Sequence, residues 1–464
     1  MNNSAENSTS NGSMLKFIVM SAIGIFLFMT PIPGGDGTFN IPLGYIINWL
    51  NGIFGHVVFG EYAQGDFQLH YMAVLICVTV SIVLTIAAYT VKPKFIMDSP
   101  KLKPLFLCSP VYLVTRLIAA LVAWMIFLGI GPDFVINAFT GDIIIGLAAG
   151  LFTIFLILAP TMPIITDFGL MEFIGILIRK VVRFLFTLPG RASVDLMASW
   201  FGSSVASVII TRGQHERGFY TAREASVIAV NFSFVSLPFT FVIASTLGLQ
   251  EHFLPFYLIM SFACIVLAVI MPRIWPLRSI PDDYLAEVGK QIDEDVPENT
   301  STSKYALSLA KRKANQTKAS DIVKAGLDNY VGIFMDLIPT VLAWGTLALI
   351  VVEMTPLFDF ISWPMGAYLN VLGVESAFEV APTTLLGFVD MFLPALMVGD
   401  VAVRTQFIIG VLSVVQIIYL AETGVLILKS KMPLNIGKLF IIFMMRTIIS
   451  LPIIVLLTSL FMNF

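Results

Sequence analysis

The chain has 464 residues, 57% of them hydrophobic and only 12% charged, with a formal net charge of −3. Soluble domains carry about 25% charged residues, so the composition specifies a polytopic membrane protein and leaves a nucleic-acid partner without electrostatic footing. The cysteines lie in or beside apolar stretches, the histidines are scattered, and no GxxxxGK[ST] loop occurs, so nothing points to a disulfide framework, a metal centre, an ATP-driven pump or an enzyme.

Met1–Ser13 is rich in Asn and Ser and predicts a disordered cytoplasmic tail. A first span covers Met14–Thr30. Residues 31–70 hold no Lys or Arg and belong outside by the positive-inside rule. Within them, IPLGYIINWLNGIFGHVVF is too broken to span and reads as interfacial. Leu69–Val91 and Val111–Ile130 are the second and third spans, separated by the inside residues Lys92, Lys94, Lys101 and Lys103. Arg116 sits near the start of the third span, where a long side chain snorkels to headgroups. These three spans make an N-terminal region over 14–131.

Asp142–Pro160 is the fourth span, and the amphipathic Leu170–Leu188 reads as an interfacial helix. Arg191–Ile210, RASVDLMASWFGSSVASVII, is apolar yet fenced by arginines at both ends, with a helix-breaking Gly202-Ser203-Ser204 in its middle. A segment that starts and ends on the basic side must go in and return, so it predicts a re-entrant hairpin. Non-helical backbone at membrane depth survives only where protein covers it or it lines a watery cavity. Thr221–Leu247 and Phe253–Met271 are the fifth and sixth spans, closing a unit over 142–274. Residues 275–320, with Asp293-Glu294-Asp295 and Lys311-Arg312-Lys313, read as a cytoplasmic linker.

Gly326–Val352 is the seventh span. Residues 353–403 again lack Lys and Arg and belong outside. They contain an interfacial stretch, PLFDFISWPMGAYLNVLGV, and a second hairpin over Ala377–Val403. Arg404–Leu428 and Ile436–Phe461 are the eighth and ninth spans, closing a unit over 321–464. The expected fold is an all-α polytopic membrane protein with about nine transmembrane helices and two re-entrant hairpins. The order span, interfacial helix, hairpin, span, span occurs twice with opposite charge bias, the pattern of inverted-topology repeats. The N-terminus is then cytoplasmic and the C-terminus periplasmic.

A charge at mid-membrane costs about 2.5–3.5 kcal/mol on insertion scales, so each polar residue there needs a reason. Asp195 and Asp390 stand in the first legs of the hairpins, as binders of a cation or substrate amine, or as caps of a leg or partners of a nearby arginine. Ser199, Ser203, Ser204 and Ser207 line one side of the first hairpin, with Ser203–Ser204 at its tip; small residues there also serve close packing. Asn231, Ser233, Ser236 and Pro238 put polar groups in span five, where Pro238 frees a carbonyl suited to Na⁺ or to a serine hydroxyl. Gln416, Tyr419 and Glu422 share a face of span eight. Asp336 and Arg446 read as packing ion pairs.

The repeated element order resembles the core of concentrative nucleoside transporters and the wider Gate, or nucleoside-recognition, group. Within that group GRASVDLMASWFGSSVASVIIT, GFVDMFLPALMV and RTQFIIGVLSVVQIIYLAE look like the two Gate halves of the YjiH family, and GIFLFMTPIPGGDGTFNIPLGYI looks like its start. The resemblance implies a secondary transporter of a small polar solute, nucleoside-like or other, working by alternating access in a bacterial inner membrane. Its partners are that solute and the lipid bilayer, with no nucleic acid; Na⁺ or H⁺ as coupling ion and a homo-oligomer stay open. The alternatives are a non-transporting membrane scaffold or assembly partner, and a gated channel.

Overall fold

The computed structural model describes residues 2–33, 39–62, 65–202, 204–285 and 301–462. Ser203, the acidic run Asp293-Glu294-Asp295 and most of the expected linker's first half lie outside the described residues. The chain is an all-α polytopic membrane protein. Seven helices among the described residues are long and apolar enough to cross a bilayer: Gly12–Met29, Leu69–Thr90, Pro110–Leu128, Asp133–Thr166, Gln250–Ser279, Ile322–Val351 and Ile436–Phe461. The only sheets described are two small antiparallel pairs, Ile32–Pro33 with Phe39–Asn40 and Val58–Tyr62 with Gly65–Gln68. The first helix runs over Asn2–Met29, taking in the polar segment expected as a disordered tail.

The expected fifth and eighth spans are not continuous helices. The fifth is Ala222–Asn231 followed by Leu237–Thr246, and the eighth is Val403–Val415 followed by a wide turn at Leu420–Gly424 and Val425–Leu428. Apolar periodicity alone joins such halves, because the breaks are only a few residues long.

The chain divides into two compact units. One comprises residues 42–162 and 319–361. In it Pro110–Leu128 packs against Leu69–Thr90 and Ile338–Met354. Arg116 does not snorkel: it is 1% exposed and donates to Thr85 Oγ1 at 2.6 Å and to Asp336 Oδ1 at 2.8 Å. Asp336 sits on a π-helical turn, Ile333–Leu337, so the ion pair expected for it is with Arg116.

The other unit comprises residues 1–41, 163–318 and 362–464. The amphipathic helix Leu170–Phe186 packs on Thr302–Gln316, so the second half of the expected linker is a docked helix. Ala306, Ala310 and Ala314 form a fully buried stripe at a spacing of four, which lets the two backbones approach closely. Gly169 precedes the amphipathic helix with φ +94°, and a side chain there would meet the carbonyl oxygen of Ala310 at 2.5 Å, so only glycine fits.

Both expected hairpins fold back on themselves. In the first, Ala192–Met197 is followed by a π-helical turn at Ala198–Gly202 and by Ser204–Glu216. The Arg191 guanidinium before it lies 3.9 Å from the ring centroid of Phe219 after it, so its two ends meet. In the second, Ala377–Leu386 is followed by Phe392–Met397. There Arg404 donates to Gly373 O at 3.0 Å and Thr405 to Glu375 O at 3.2 Å, so these ends meet too. Each hairpin is entered near a non-glycine residue in the left-handed region, Thr187 at φ 56° and Ser376 at φ 51°.

Candidate functional site

The first broken helix starts on a capping box. Thr221 Oγ1 accepts from Glu224 N at 3.1 Å and Glu224 Oε2 accepts from Thr221 N at 2.9 Å. It stops where side chains compete for its backbone carbonyls. Asn231 Nδ2 donates to Val227 O at 3.1 Å and Ser233 Oγ to Ala229 O at 2.6 Å. The second half begins behind Ser236, with Pro238 in its first turn, a position that proline tolerates. Phe234 lies in the non-helical stretch between the halves, where its carbonyl has no helical partner, and Ser199 of the first hairpin donates to that oxygen at 2.7 Å. The Trp200 and Phe234 rings meet edge-on at 5.3 Å beside this bond.

The second break is sharper. Ile417 is fully buried and left-handed, at φ 64°, where a β-branched residue is a steric outlier. The last carbonyls of Val403–Val415 are met by side chains. Tyr419 Oη donates to Ser413 O at 2.8 Å and to Val414 O at 3.2 Å, and Thr423 Oγ1 donates to Ile417 O at 3.1 Å. The Gln416 amide nitrogen donates to Thr384 O at 2.8 Å in the second hairpin and to Thr447 Oγ1 at 2.9 Å. Its Oε1 lies against Gly387: a Cβ there would stand 1.8 Å from that oxygen.

Between the breaks lies Arg446, from the interior of Ile436–Phe461 and 0% exposed. From one side Nη1 donates to Val230 O at 3.2 Å and to Asn231 Oδ1 at 2.8 Å. From the other, Nη2 donates to Val415 O at 2.7 Å and Nε to Gln416 O at 3.1 Å. Among the described residues no carboxylate pairs with it, so the ion pair expected for Arg446 is replaced by neutral oxygens at two helix ends and by the Cys264 thiol.

Of the residues singled out from the sequence, Asn231, Ser233, Gln416 and Tyr419 gather at this centre or at the helix ends that build it, and Ser199 joins through Phe234 O. Ser236 stands at the N-cap position of the resumed helix, 2% exposed, its hydroxyl without a hydrogen-bond partner among the described residues. Asp195 stands apart. It is 1% exposed, accepts from Thr211 Oγ1 at 2.9 Å, and its backbone oxygen accepts from Ser207 at 3.0 Å, so it ties the two legs of the first hairpin. Asp390, expected in the first leg of its hairpin, stands past the end of that leg at Leu386; it accepts from Phe392 N at 2.8 Å and opens the short second leg. Ser204 is buried at the head of the return leg. The side chain of Glu422 lies outside what the structure describes.

Sequence reading missed Arg446 as the hub, together with Thr384, Gly387 and Thr447. Its signal was a guanidinium inside an apolar helix; its partners lie 30 and 215 residues away and carry no local mark. Among the described residues no group of three or more His, Cys, Asp or Glu could hold a metal ion. The carbonyl expected in span five to suit Na⁺ or a serine hydroxyl accepts from a serine, Ser199, at Phe234 O.

Comparison with known proteins gives a family. The Gate family, described as nucleoside recognition, matches residues 148–250, which include the first hairpin and the first broken helix. An uncharacterized protein of Alkalihalophilus pseudofirmus is 43% identical over 460 residues, covering 98% of this chain and 96% of that one. Among solved structures, CNTnw in an inward-facing substrate-bound state shares 12% identity at a TM-score of 0.44, over 98% of this chain and 99% of that chain. A CNTnw variant in an outward-facing state shares 13% identity at a TM-score of 0.43, over 84% of this chain and 98% of that chain. Likeness at that level transfers neither residues nor solute. With 43% identity to the Alkalihalophilus protein over nearly the whole of both chains, the chain belongs to that protein's family, and its match over residues 148–250 makes it a Gate-domain membrane protein.

Proposed function

We propose that this protein is a secondary transporter that carries a small polar solute across the cytoplasmic membrane by alternating access. One observation carries the reading: two helices are broken in mid-course, each beside a folded-back hairpin, and both breaks meet at one buried polar centre. Discontinuous helices paired with hairpins are how transporters place polar backbone at membrane depth beside a solute. In this reading the two broken helices join the seven long ones to make nine spans. The hairpins are re-entrant, the first from the cytoplasmic side and the second from outside. The matched element order supports an inverted repeat. Ser236 and the first-hairpin tip, Ser203–Ser204, are the proposed solute contacts, whereas Asp195 and Asp390 hold the shapes of their hairpins. Na⁺ and H⁺ are the coupling ions to test.

The family's description makes nucleosides the first solutes to try, followed by nucleobases, amino acids and dipeptides. Purified protein is titrated with each by thermal shift, with and without Na⁺, and hits are carried into proteoliposome uptake. A ligand that binds only the folded state stabilises by about 2.7 kcal/mol at a hundred times its Kd, a readily measured shift. At least one solute class is expected to give a saturable shift that Ser236→Ala weakens. No shift and no uptake across the panel would sink the reading. A non-transporting scaffold is the second reading, favoured by one observation: nearly every polar group at the breaks is bonded within the chain, as a rigid tie requires.

A further inference from the structure

Among the described residues Arg446 is a buried charge without a carboxylate partner, with the Cys264 thiol as a neighbour besides the oxygens, and its surroundings explain how it is tolerated. A helix C-terminus carries about −0.5 of an elementary charge. Two such ends, of Ala222–Asn231 and Val403–Val415, converge on one guanidinium, so together they present about −1 to a charge of +1. The four oxygens, Val230 O, Asn231 Oδ1, Val415 O and Gln416 O, lie 2.7–3.2 Å from three guanidinium nitrogens. Left without a cation, two like helix ends facing each other inside a protein would repel, and their carbonyls would lack donors.

We propose that Arg446 is a tethered cation, a permanent monovalent ion of the chain that fills the oxygen cage between the two broken helices. The cage is a cation site by its chemistry: neutral oxygens from two separate elements, with helix ends supplying the field. The chain fills it with a planar fork that reaches both elements at once, which a compact ammonium on a flexible stem does not match. The protein therefore draws no stability at this centre from Na⁺ or K⁺, and any coupling ion acts elsewhere. Trimming Arg446 converts the cage into a site for a small free cation, with guanidinium compounds the best fit. This inference concerns the folded state and stands apart from transport.

The test reads thermal stability of the full-length protein in detergent at constant ionic strength. Wild type in NaCl, KCl and choline chloride is expected to melt at one temperature with no saturable Na⁺ effect. A saturable Na⁺ stabilisation of wild type that Asn231→Leu abolishes would overturn the proposal. Arg446→Ala is expected to melt lower and to regain much of the loss with low-millimolar methylguanidinium, while methylurea, planar but uncharged, does not restore it. Equal rescue by methylurea would show that shape and hydrogen bonding suffice, and would also overturn it. If Arg446→Ala cannot be purified, Arg446→Lys and Arg446→Met decide. The charge-keeping Lys variant is expected to be the more stable, and a Met variant as stable as Lys or more so would sink the idea.

Discussion

Gln416 and Gly387 illustrate how a single missing atom sets the site. With no Cβ, Gly387 lets the Gln416 amide lie flat on the second hairpin and donate to Thr384 O and Thr447. A methyl group there would displace the amide and leave buried acceptors without donors. Gly387→Ala is expected to cost about 1–3 kcal/mol by overpacking, seen as a lower melting temperature. In a Gln416→Ala background the same change should cost much less, because the clash partner is gone; equal losses in both backgrounds would refute the contact. Glu172, in the first turn of the amphipathic helix, gives the pH test. Burial is the main cause pushing its carboxyl above the ordinary 4.5, opposed by a backbone hydrogen bond and by Lys313, while Asp167 raises it further. A raised folded-state value means the native protein holds the proton more tightly, so Glu172 lowers stability as pH climbs above 4.5. Glu172→Gln is therefore expected to melt higher than wild type at neutral pH, with the gap closing below about pH 4.5. A gap independent of pH would mean the carboxylate's charge is not what costs stability. Neither residue stood out in the sequence: Gly387 is one glycine of many, and Glu172 reads as the polar edge of an amphipathic face.

At the scale of elements, the long helices, the amphipathic helix and both folded-back segments were legible, because apolar length and basic fences are local properties. The breaks were only half legible. Pro238, Asn231 and the serines marked the first, but the second has no proline and turns on Ile417, a residue that propensity assigns to a continuous strand or helix. The partners that satisfy the breaks come from other elements and could not be read from either segment alone. Ser199 is the clearest case, since it comes from the hairpin and donates to Phe234 O inside the break. Ser199→Ala should leave Phe234 O buried without a donor and cost about 1–3 kcal/mol. Ser193→Ala, which removes only a short-range bond to Gly190 O at 2.8 Å, should cost less. Comparable melting temperatures for the two variants would mean that the hairpin and the break are not coupled through this bond.

For the whole molecule, the positive-inside rule fixed an expected orientation, and the structure adds that the ends of each hairpin meet. Single cysteines at Gly65 and Glu375, in a background free of native cysteines, should react with an impermeant thiol reagent in intact cells. Cysteines at Arg191 and Gly213 should both be protected until the membrane is opened. Labelling of position 191 but not 213, or the reverse, would mean that the first hairpin crosses the membrane, and the repeat would fall with it. The compact units of the fold do not follow sequence order, for residues 319–361 join 42–162 while the flanking segments join the other unit. Chain order alone cannot show that, because the elements concerned are alike in composition.

The two breaks are not equivalent, and the difference lies in Ile417. The first break contains no residue with positive φ, whereas the second holds a buried isoleucine in a region that costs an L-residue about 1–2 kcal/mol. Such a cost behaves as a preload. Any rearrangement that lets residue 417 relax to the right-handed or extended region runs downhill at that residue, shifting a two-state balance by roughly tenfold for each 1.4 kcal/mol. Motion at the first break has no comparable release. Across the shared centre, motion would then have a preferred direction, with the second broken helix as the side that springs and the first as the side that holds.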